Sequence, residues 1–356
     1  MKTDMVYFEI DTMCNLNCKH CYNKSGYKHS YMQFDDFKNI IDFFLNNEEL
    51  SVILAGGEPL VHPQIKQFLE YLNQPSNKRS GVVVVTNGIL AKDILTPYLL
   101  QDKPFTIQIS LDGATEETNS YIRGPGHFDK VVSYMKFLSQ QGYRYGMTRM
   151  TINNVNYKDI ENFFYLNLEY GFFPTFSFVV RSGNADENWD KLNISYSDRL
   201  RSIETINRLY EKNKAQFENV GNFQEMRKVN IQPTQKCSLT DPDAFVRPLI
   251  KVNGDMQPCQ RLYDEIYSMG NVISSPIQQV FSFENKQLIA LRQILQNRAQ
   301  LMKANLCKTC VIKESCACGC PGRAVDHCGT IMGLDSDCKL RVQKYIENNL
   351  VHLFER

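Results

Sequence analysis

The stretch "CNLNCKHC", Cys14 to Cys21, sets three thiols in C-x3-C-x2-C spacing directly after the apolar run "VYFEI" (6–10). Residues three and four apart in a tight loop can turn their thiolates toward one centre, and soft thiolates select zinc, copper(I) or iron–sulfur clusters. Structural zinc wants a fourth ligand and a closed tetrahedron. His20 is the nearest candidate and is squeezed between two of the cysteines. A [4Fe–4S] cube wants one cysteine per iron. Three cysteines then leave one iron with an open position, where a substrate or cofactor can bind.

Working outward from this loop, apolar runs alternate with helical patterns. "VYFEI" (6–10), "SVILAGG" (51–57), "GVVVVTNG" (81–88), "FTIQISLDG" (105–113), "YGMTRMTIN" (145–153) and "PTFSFVVR" (174–181) read as six buried strands. Phe34–Leu45, Pro63–Leu72, Leu90–Leu100, Phe128–Gln141 and Lys158–Tyr170 show apolar residues at helical intervals. This alternation predicts βαβ units around a parallel sheet, and six units in succession predict an α/β fold of the partial (β/α)6 TIM-like barrel kind. On such a fold the chemistry belongs at the C-terminal ends of the strands. The polar stretch Ser182–Ser197 reads as a linker and 196–217 as an amphipathic helix. The expected organisation is a barrel over 1–185, a linker and bridging helix over 186–230, and a second domain over 231–356.

The totals exclude several classes. The chain has 356 residues, more than one ordinary core requires, and 43% of them are hydrophobic. With 40 basic and 39 acidic side chains its formal charge is +1, so nothing resembles the basic field of a nucleic-acid binder. No apolar run reaches membrane-spanning length and no signal-peptide core is present, which makes the cytoplasm the expected address. Twelve cysteines in a reducing compartment point to metal or redox chemistry rather than disulfides.

With the cysteine loop and its companions in view, the chain resembles the radical S-adenosylmethionine (SAM) enzymes over nearly its whole length. "GGEP" (Gly56, Gly57, Glu58, Pro59) resembles the family signature that holds the SAM amino group. "TNG" supplies Thr86 and Asn87 near SAM. "SLDG" supplies Ser110 and Asp112 as candidates for the ribose or carboxylate. Arg123 in "YIRGPGHF" resembles the arginine that pairs with the SAM carboxylate, for which a planar guanidinium is suited. His20 occupies the usually aromatic position beside the adenine. Individually these have plain alternatives, as strand ends, turn pairs and a surface charge; together they fall after successive strands on the face carrying the cysteine loop.

Nine of the twelve cysteines lie between Cys237 and Cys338. Cys307, Cys310, Cys316 and Cys320 read as C-x2-C-x5-C-x3-C, Cys338 follows, and Cys237 precedes a G-x4-C pattern ending at Cys259. This resembles the SPASM extension. The resemblance implies one auxiliary [4Fe–4S] cluster on Cys307, Cys310, Cys316 and Cys338, and another on Cys237, Cys259 and Cys320. Some relatives complete the latter with a cysteine about six residues before Cys237, where this chain has Ile231. Cys318 and Cys328 are surplus, as bystanders or as a completing ligand; a zinc ribbon is the alternative for the segment.

The implied cofactors are SAM and three [4Fe–4S] clusters. A reduced cluster splits SAM to methionine and a 5′-deoxyadenosyl radical that abstracts hydrogen from carbon, and auxiliary clusters make net oxidation plausible. The resemblance implies a maturase of ribosomal precursor peptides that forms a carbon–carbon, thioether or ether crosslink. Its partners would be the peptide, a flavodoxin- or ferredoxin-type reductant and, as no leader-binding domain precedes the first strand, either a separate recognition protein or none, with the barrel and SPASM surfaces reading the leader; neither nucleic acid nor membrane is expected. Two alternatives stand beside it. Anaerobic sulfatase-maturating enzymes share the layout but carry an aspartate after the G-x4-C cysteine, where this chain has Gln260. A non-enzymatic iron–sulfur electron carrier would need no SAM pocket. No general base is singled out by the sequence.

Overall fold

The computed structural model describes residues 1–24, 29–45, 50–77, 81–217, 237–241 and 243–354, the last eight of these by backbone alone. The position of Ile231 lies outside the described residues. The chain divides into two compact units, Met5–Val229 with Ile250–Asn253, and Met1–Asp4 with Asn230–Leu249 and Gly254–Arg356.

In the first unit six strands form a parallel run in sequence order: β1 (Met5–Glu9), β2 (Ser51–Ala55), β3 (Gly81–Thr86), β4 (Thr106–Ser110), β5 (Gly146–Ile152) and β6 (Phe173–Phe178). Helices α1 (Phe34–Phe44), α2 (Ile65–Leu72), α3 (Ala91–Leu99), α4 (Glu116–Arg123), α5 (His127–Gln140) and α6 (Ile160–Tyr170) connect them. The register is regular: Glu9 pairs with Ala55 and Ser110 with Arg149. Alternate residues divide the two faces. Val6, Phe8, Val52, Leu54, Val84, Ile107, Ile109 and Met150 are fully buried, as are Phe37, Phe68, Leu95, Leu138 and Phe163 on the connecting helices. Each such side chain removed from water contributes about 1.5–3 kcal/mol. The opposite positions of β4 and β5, including Gln108, Ser110 and Arg149, remain accessible, whereas Ile53 on β2 is buried.

The strands stop at Ala55, Thr86 and Ser110, just before "GGEP", "NG" and "LDG". These small and polar residues form the loops at the C-terminal edge of the sheet. Helix α4 lacks an apolar repeat that would announce it; the Thr115 hydroxyl caps it by accepting from the Thr118 N–H. Gly124 and Gly126, both at positive φ, then turn the chain into α5.

The stretch read as a linker is instead folded. It forms α7 (Asn184–Glu187) and α8 (Trp189–Leu192), whose Ala185 and Leu192 bury themselves with Val179 under Trp189 and Val155. Few of its residues are apolar, but those few are the ones that pack. The helix expected over 196–217 is broken in two, α9 (Tyr196–Lys212) and α10 (Lys214–Phe217). Tyr210 and Phe217 pack on Phe164 of α6 and Phe173 of β6, with Phe164–Tyr210 and Phe173–Phe217 ring centroids each 5.3 Å apart. The Tyr210 hydroxyl donates to the Pro174 carbonyl. This helix therefore belongs to the first unit.

The second unit contains the two-residue strand β7 (Leu249–Ile250, at the unit boundary), an antiparallel pair β8 (Asp255–Gln257) and β9 (Gly270–Asn271), the short α11 (Ile277–Val280), the long α12 (Lys286–Ala304), α13 (Pro321–Cys328) and α14 (Cys338–Phe354). Asn285 caps α12 by accepting from the Leu288 N–H at 2.9 Å. Proline opens α13, where its missing N–H costs nothing, and Gly329 ends it in the left-handed conformation. Among the described residues no helix is long and apolar enough to cross a membrane.

Candidate active site and cysteine clusters

The cysteine loop leaves β1 and is gripped by the loop after β2. The Gly57 N–H donates to the Asp11 carbonyl at 3.1 Å and the Glu58 N–H to the Met13 carbonyl at 2.7 Å. A Cβ on Gly57 would overlap the Met13 carbonyl, and one on Gly56 would overlap the Asp11 carboxylate. The two glycines are thus required for close backbone approach. Glu58 turns inward and is fully buried: one carboxylate oxygen accepts from the Thr86 hydroxyl at 2.7 Å and the Leu60 N–H at 3.1 Å, the other from the Asn87 N–H at 2.6 Å. Three of its roughly four acceptor sites are taken. Burial pushes its carboxyl up to about 7, against the pull of these donors. Pro59 begins a single buried 3₁₀ turn, Pro59–Val61.

Asp112 organises the other side of the loop. Its carboxylate accepts from His20 Nε2 at 2.5 Å and the Thr151 N–H at 2.7 Å, and forms an ion pair with Arg123, whose Nε lies 2.6 Å away. Burial acts to raise the carboxyl, but Arg123 and His20 outweigh it and hold it well below the usual range. Helix α4 brings Arg123 over the loop, where Nη1 lies 3.7 Å from Cys18 Sγ. Asn87 Nδ2 approaches Cys14 Sγ at 3.9 Å and donates to Asn15 Oδ1 at 2.7 Å. The Leu16 N–H points at Cys14 Sγ from 3.4 Å. Burial raises the Cys14 thiol to about 11 and pushes Cys18 up as well, each thiol also feeling its neighbours. The loop thus collects three interacting thiols ringed by N–H donors.

Cys14, Cys18, Cys21, His20, Gly56, Gly57, Glu58, Thr86, Asn87, Asp112 and Arg123 therefore form one connected constellation. Ser110 stands beside it at the end of β4. Three participants carried no spacing signal. Asn15 is one of the unspecified positions inside the motif, and Asp11 precedes it. His127 accepts or donates at Asn119 and the Asn87 carbonyl, 3.0 and 2.8 Å away, and burial lowers its pKa to about 4.

In the second unit the cysteines fall into two groups. Cys307, Cys310, Cys316 and Cys338 line one cavity together with Cys318 and Arg341. Cys237, Cys259 and Cys320 lie close enough for their charges to interact. Of the surplus thiols, Cys318 is buried at positive φ with its sulfur toward the Ala299 carbonyl, at the four-cysteine cavity. Cys328 is exposed, its thiol 3.2 Å from the Leu334 carbonyl. The loops carrying the cysteines are tied by a buried Arg298, which donates to the carbonyls of Cys318 at 2.8 Å, Gly319 at 3.3 Å, Gly333 at 3.0 Å and also Ile331. Asp335 accepts from the Cys320 N–H at 2.9 Å and pairs with Arg341 at 2.5 Å.

Among the described residues no three His, Cys, Asp or Glu side chains converge as a single metal ion requires. Thiol sets of three and four suit a four-iron cube, which takes one thiolate per iron.

Residues 9–165 match the model of the Radical SAM superfamily. Mycofactocin maturase MftC of Mycolicibacterium smegmatis is 30% identical over 186 residues, 52% of this chain and 47% of the relative, so that this chain spans about half the relative's length in the alignment. MftC of Mycobacterium tuberculosis H37Rv is 25% identical over 323 residues, covering 88% and 77%. Among solved structures, SuiB of Streptococcus suis bound to S-adenosylmethionine superposes with a TM-score of 0.70 at 17% identity, covering 95% of this chain and 77% of that one. AnSMEcpe with bound AdoMet and Cp18Cys peptide gives 0.70 at 16%, covering 98% of each. These likenesses place the α/β fold among radical SAM structures. The chain is an enzyme whose residues 9–165 match the Radical SAM superfamily, for which SAM and a [4Fe–4S] cluster are the expected cofactors, and the thiol loop after β1 fits that cluster.

Proposed function

We propose that the chain is a radical SAM peptide maturase that introduces an oxidative crosslink, carbon–carbon, thioether or ether, into a ribosomal precursor peptide. When bound, the cluster and SAM supply the electron transfer that releases the 5′-deoxyadenosyl radical, which takes hydrogen from the substrate. On this proposal Cys14, Cys18 and Cys21 hold the cluster, Arg123 faces the SAM carboxylate and Ser110 faces its ribose or carboxylate. Asp112 holds Arg123 and His20 in place, and the remaining acceptor site of Glu58, with the Gly56–Gly57 backbone, receives the amino group. Thr86, Asn87 and Pro59 shape that side of the pocket.

The observation that carries the oxidative outcome is the separation of seven further cysteines into a group of four and a group of three. We assign them as SPASM-type auxiliary clusters that accept the electron left on the substrate. The peptide substrate is supported by solved relatives bound to peptides, SuiB with precursor peptide SuiA and anSMEcpe with its Cp18Cys peptide. A sulfatase-maturating activity is disfavoured by Gln260, which follows Cys259 where that class has its proposed base. An external flavodoxin- or ferredoxin-type reductant and a separate leader-recognition protein complete the proposal.

The test is anaerobic incubation of the reconstituted enzyme with SAM and dithionite, then coexpression with a short peptide encoded beside the gene. Formation of 5′-deoxyadenosine and a peptide lighter by two hydrogens are expected. A peptide of unchanged mass with an inverted centre would remove the crosslink; absence of 5′-deoxyadenosine with a brown, iron-rich protein would favour an electron carrier.

A further inference from the structure

The first and last strands of the parallel run, β1 and β6, are not neighbours in the sheet, yet the segments that follow them are joined. The cysteine loop exposes the backbone carbonyls of Cys18, Lys19, Cys21 and Tyr22, and the segment 182–188 takes up all four. The Asn184 N–H donates to the Cys21 carbonyl at 2.8 Å. Asn184 Nδ2 donates to the Cys18 carbonyl at 3.1 Å and to Asn17 Oδ1 at 2.9 Å. The Ser182 hydroxyl reaches the Tyr22 carbonyl at 3.2 Å, and Asn188 Nδ2 the Lys19 carbonyl at 3.3 Å. Gly183, at φ 60°, lies against the loop so closely that a Cβ would overlap the Cys21 and Tyr22 carbonyls. Beneath, Ala185 and Leu192 anchor the segment in a small apolar cluster.

We propose that 182–188 is a latch that fixes the cysteine loop, with Asn184 its positioning residue. The inference rests on the cysteine loop holding the cluster; it does not depend on the substrate. Both side-chain hydrogens of Asn184 and its backbone N–H go to this one loop, and the amide is buried, so no solvent donor replaces it when it is lost. Two of the four carbonyls belong to cysteines. A displacement of the latch therefore shifts Cys18 and Cys21 relative to Cys14, which is held instead from the β2 and β3 side. Hydrogen-bonding partners of this kind, one step removed from the metal, tune its retention and geometry.

The experiment uses the cluster-loaded full chain. Asn184→Asp keeps the size and the backbone N–H but replaces the donating Nδ2 with an oxygen that faces two acceptors. Iron assigned to the Cys14/Cys18/Cys21 site should be lost to a chelator about tenfold faster or more. The remaining iron should leave at the wild-type rate, and the SAM-induced change in the EPR spectrum of the reduced protein should weaken. A Cys14→Ala/Cys18→Ala/Cys21→Ala variant identifies that iron pool. Unchanged release and an unchanged SAM response in Asn184→Asp would overturn the latch. If the triple variant keeps all the iron of the wild type, the cluster assignment itself falls and the latch with it, a separate result. Should Asn184→Asp fail to fold, Ser182→Ala and Asn188→Ala each remove one bond to the cysteine loop, Asn188→Ala also one to the Asn184 carbonyl, and the double variant must show the same effect more weakly; wild-type behaviour there overturns the proposal.

Discussion

Arg123 and Asp112 bind each other in the interior of the site, Nε to Oδ2 at 2.6 Å, with both side chains buried. Three of the roughly four acceptor sites of the carboxylate are taken, by Arg123, His20 and the Thr151 N–H. Asp112 is therefore the residue that aims the guanidinium, and the free edge of Arg123 is what remains for a ligand.

Removing the charge of Asp112 tests this arrangement. Asp112→Asn keeps the shape but leaves Arg123 without its counter-charge in a dry environment, a loss on the order of 3–5 kcal/mol for a broken buried pair. A lower thermal midpoint and weaker SAM binding, followed by titration against the EPR signal, are expected. Wild-type affinity in this variant would show that Asp112 does not orient Arg123.

Gly57→Ala places a methyl group on the Met13 carbonyl. Backbone, not a flexible side chain, stands in the way, so the cysteine loop must shift. Overpacking of this kind costs about 1–3 kcal/mol. The measurable result is loss of 5′-deoxyadenosine formation and of iron from the first unit; Gly81→Ala, where a Cβ meets nothing within 4 Å, serves as the control.

Asp11 gives a pH dependence. Burial, then the neighbouring Glu58 charge, raises its carboxyl from 3.8 to about 8. The folded chain therefore keeps a proton that the unfolded chain loses above about pH 4, and stability falls as pH rises between roughly 4 and 8. Asp11→Asn retains the oxygen that accepts from the Gly57 N–H at 3.1 Å and has no proton to lose. Its thermal midpoint should gain on the wild type as pH is raised across that window. Parallel curves for the two proteins would contradict the burial argument.

The grouping of the second-unit cysteines predicts iron content. Cys316→Ala and Cys237→Ala should each remove about four irons, one cube apiece. Cys328→Ala, altering an exposed thiol, should leave the total unchanged, and so should Cys318→Ala, since four other thiols already line that cavity. Iron and sulfide assays with Mössbauer spectra read the result; loss of a full cluster from Cys318→Ala would reassign the ligands.

The sequence by itself determined the alternation of strands and helices, because burial of one sheet face requires apolar residues at fixed intervals that can be read without coordinates. It also exposed the cysteine spacings, since ligands on one short loop are close in space whenever they are close in the chain. Only the tertiary structure decided that Asp112, His20 and Arg123 bind one another, that Glu58 braces the end of β3, and that 182–188 is packed rather than loose. Those contacts join residues up to 169 positions apart, as between Lys19 and Asn188. Those of 182–188 are made by asparagines, a serine and a glycine whose roles depend on which carbonyl the fold brings to them. A hydrogen bond across such a separation leaves no periodicity in the chain, and the physical reason for each residue is visible only once its partner is in place.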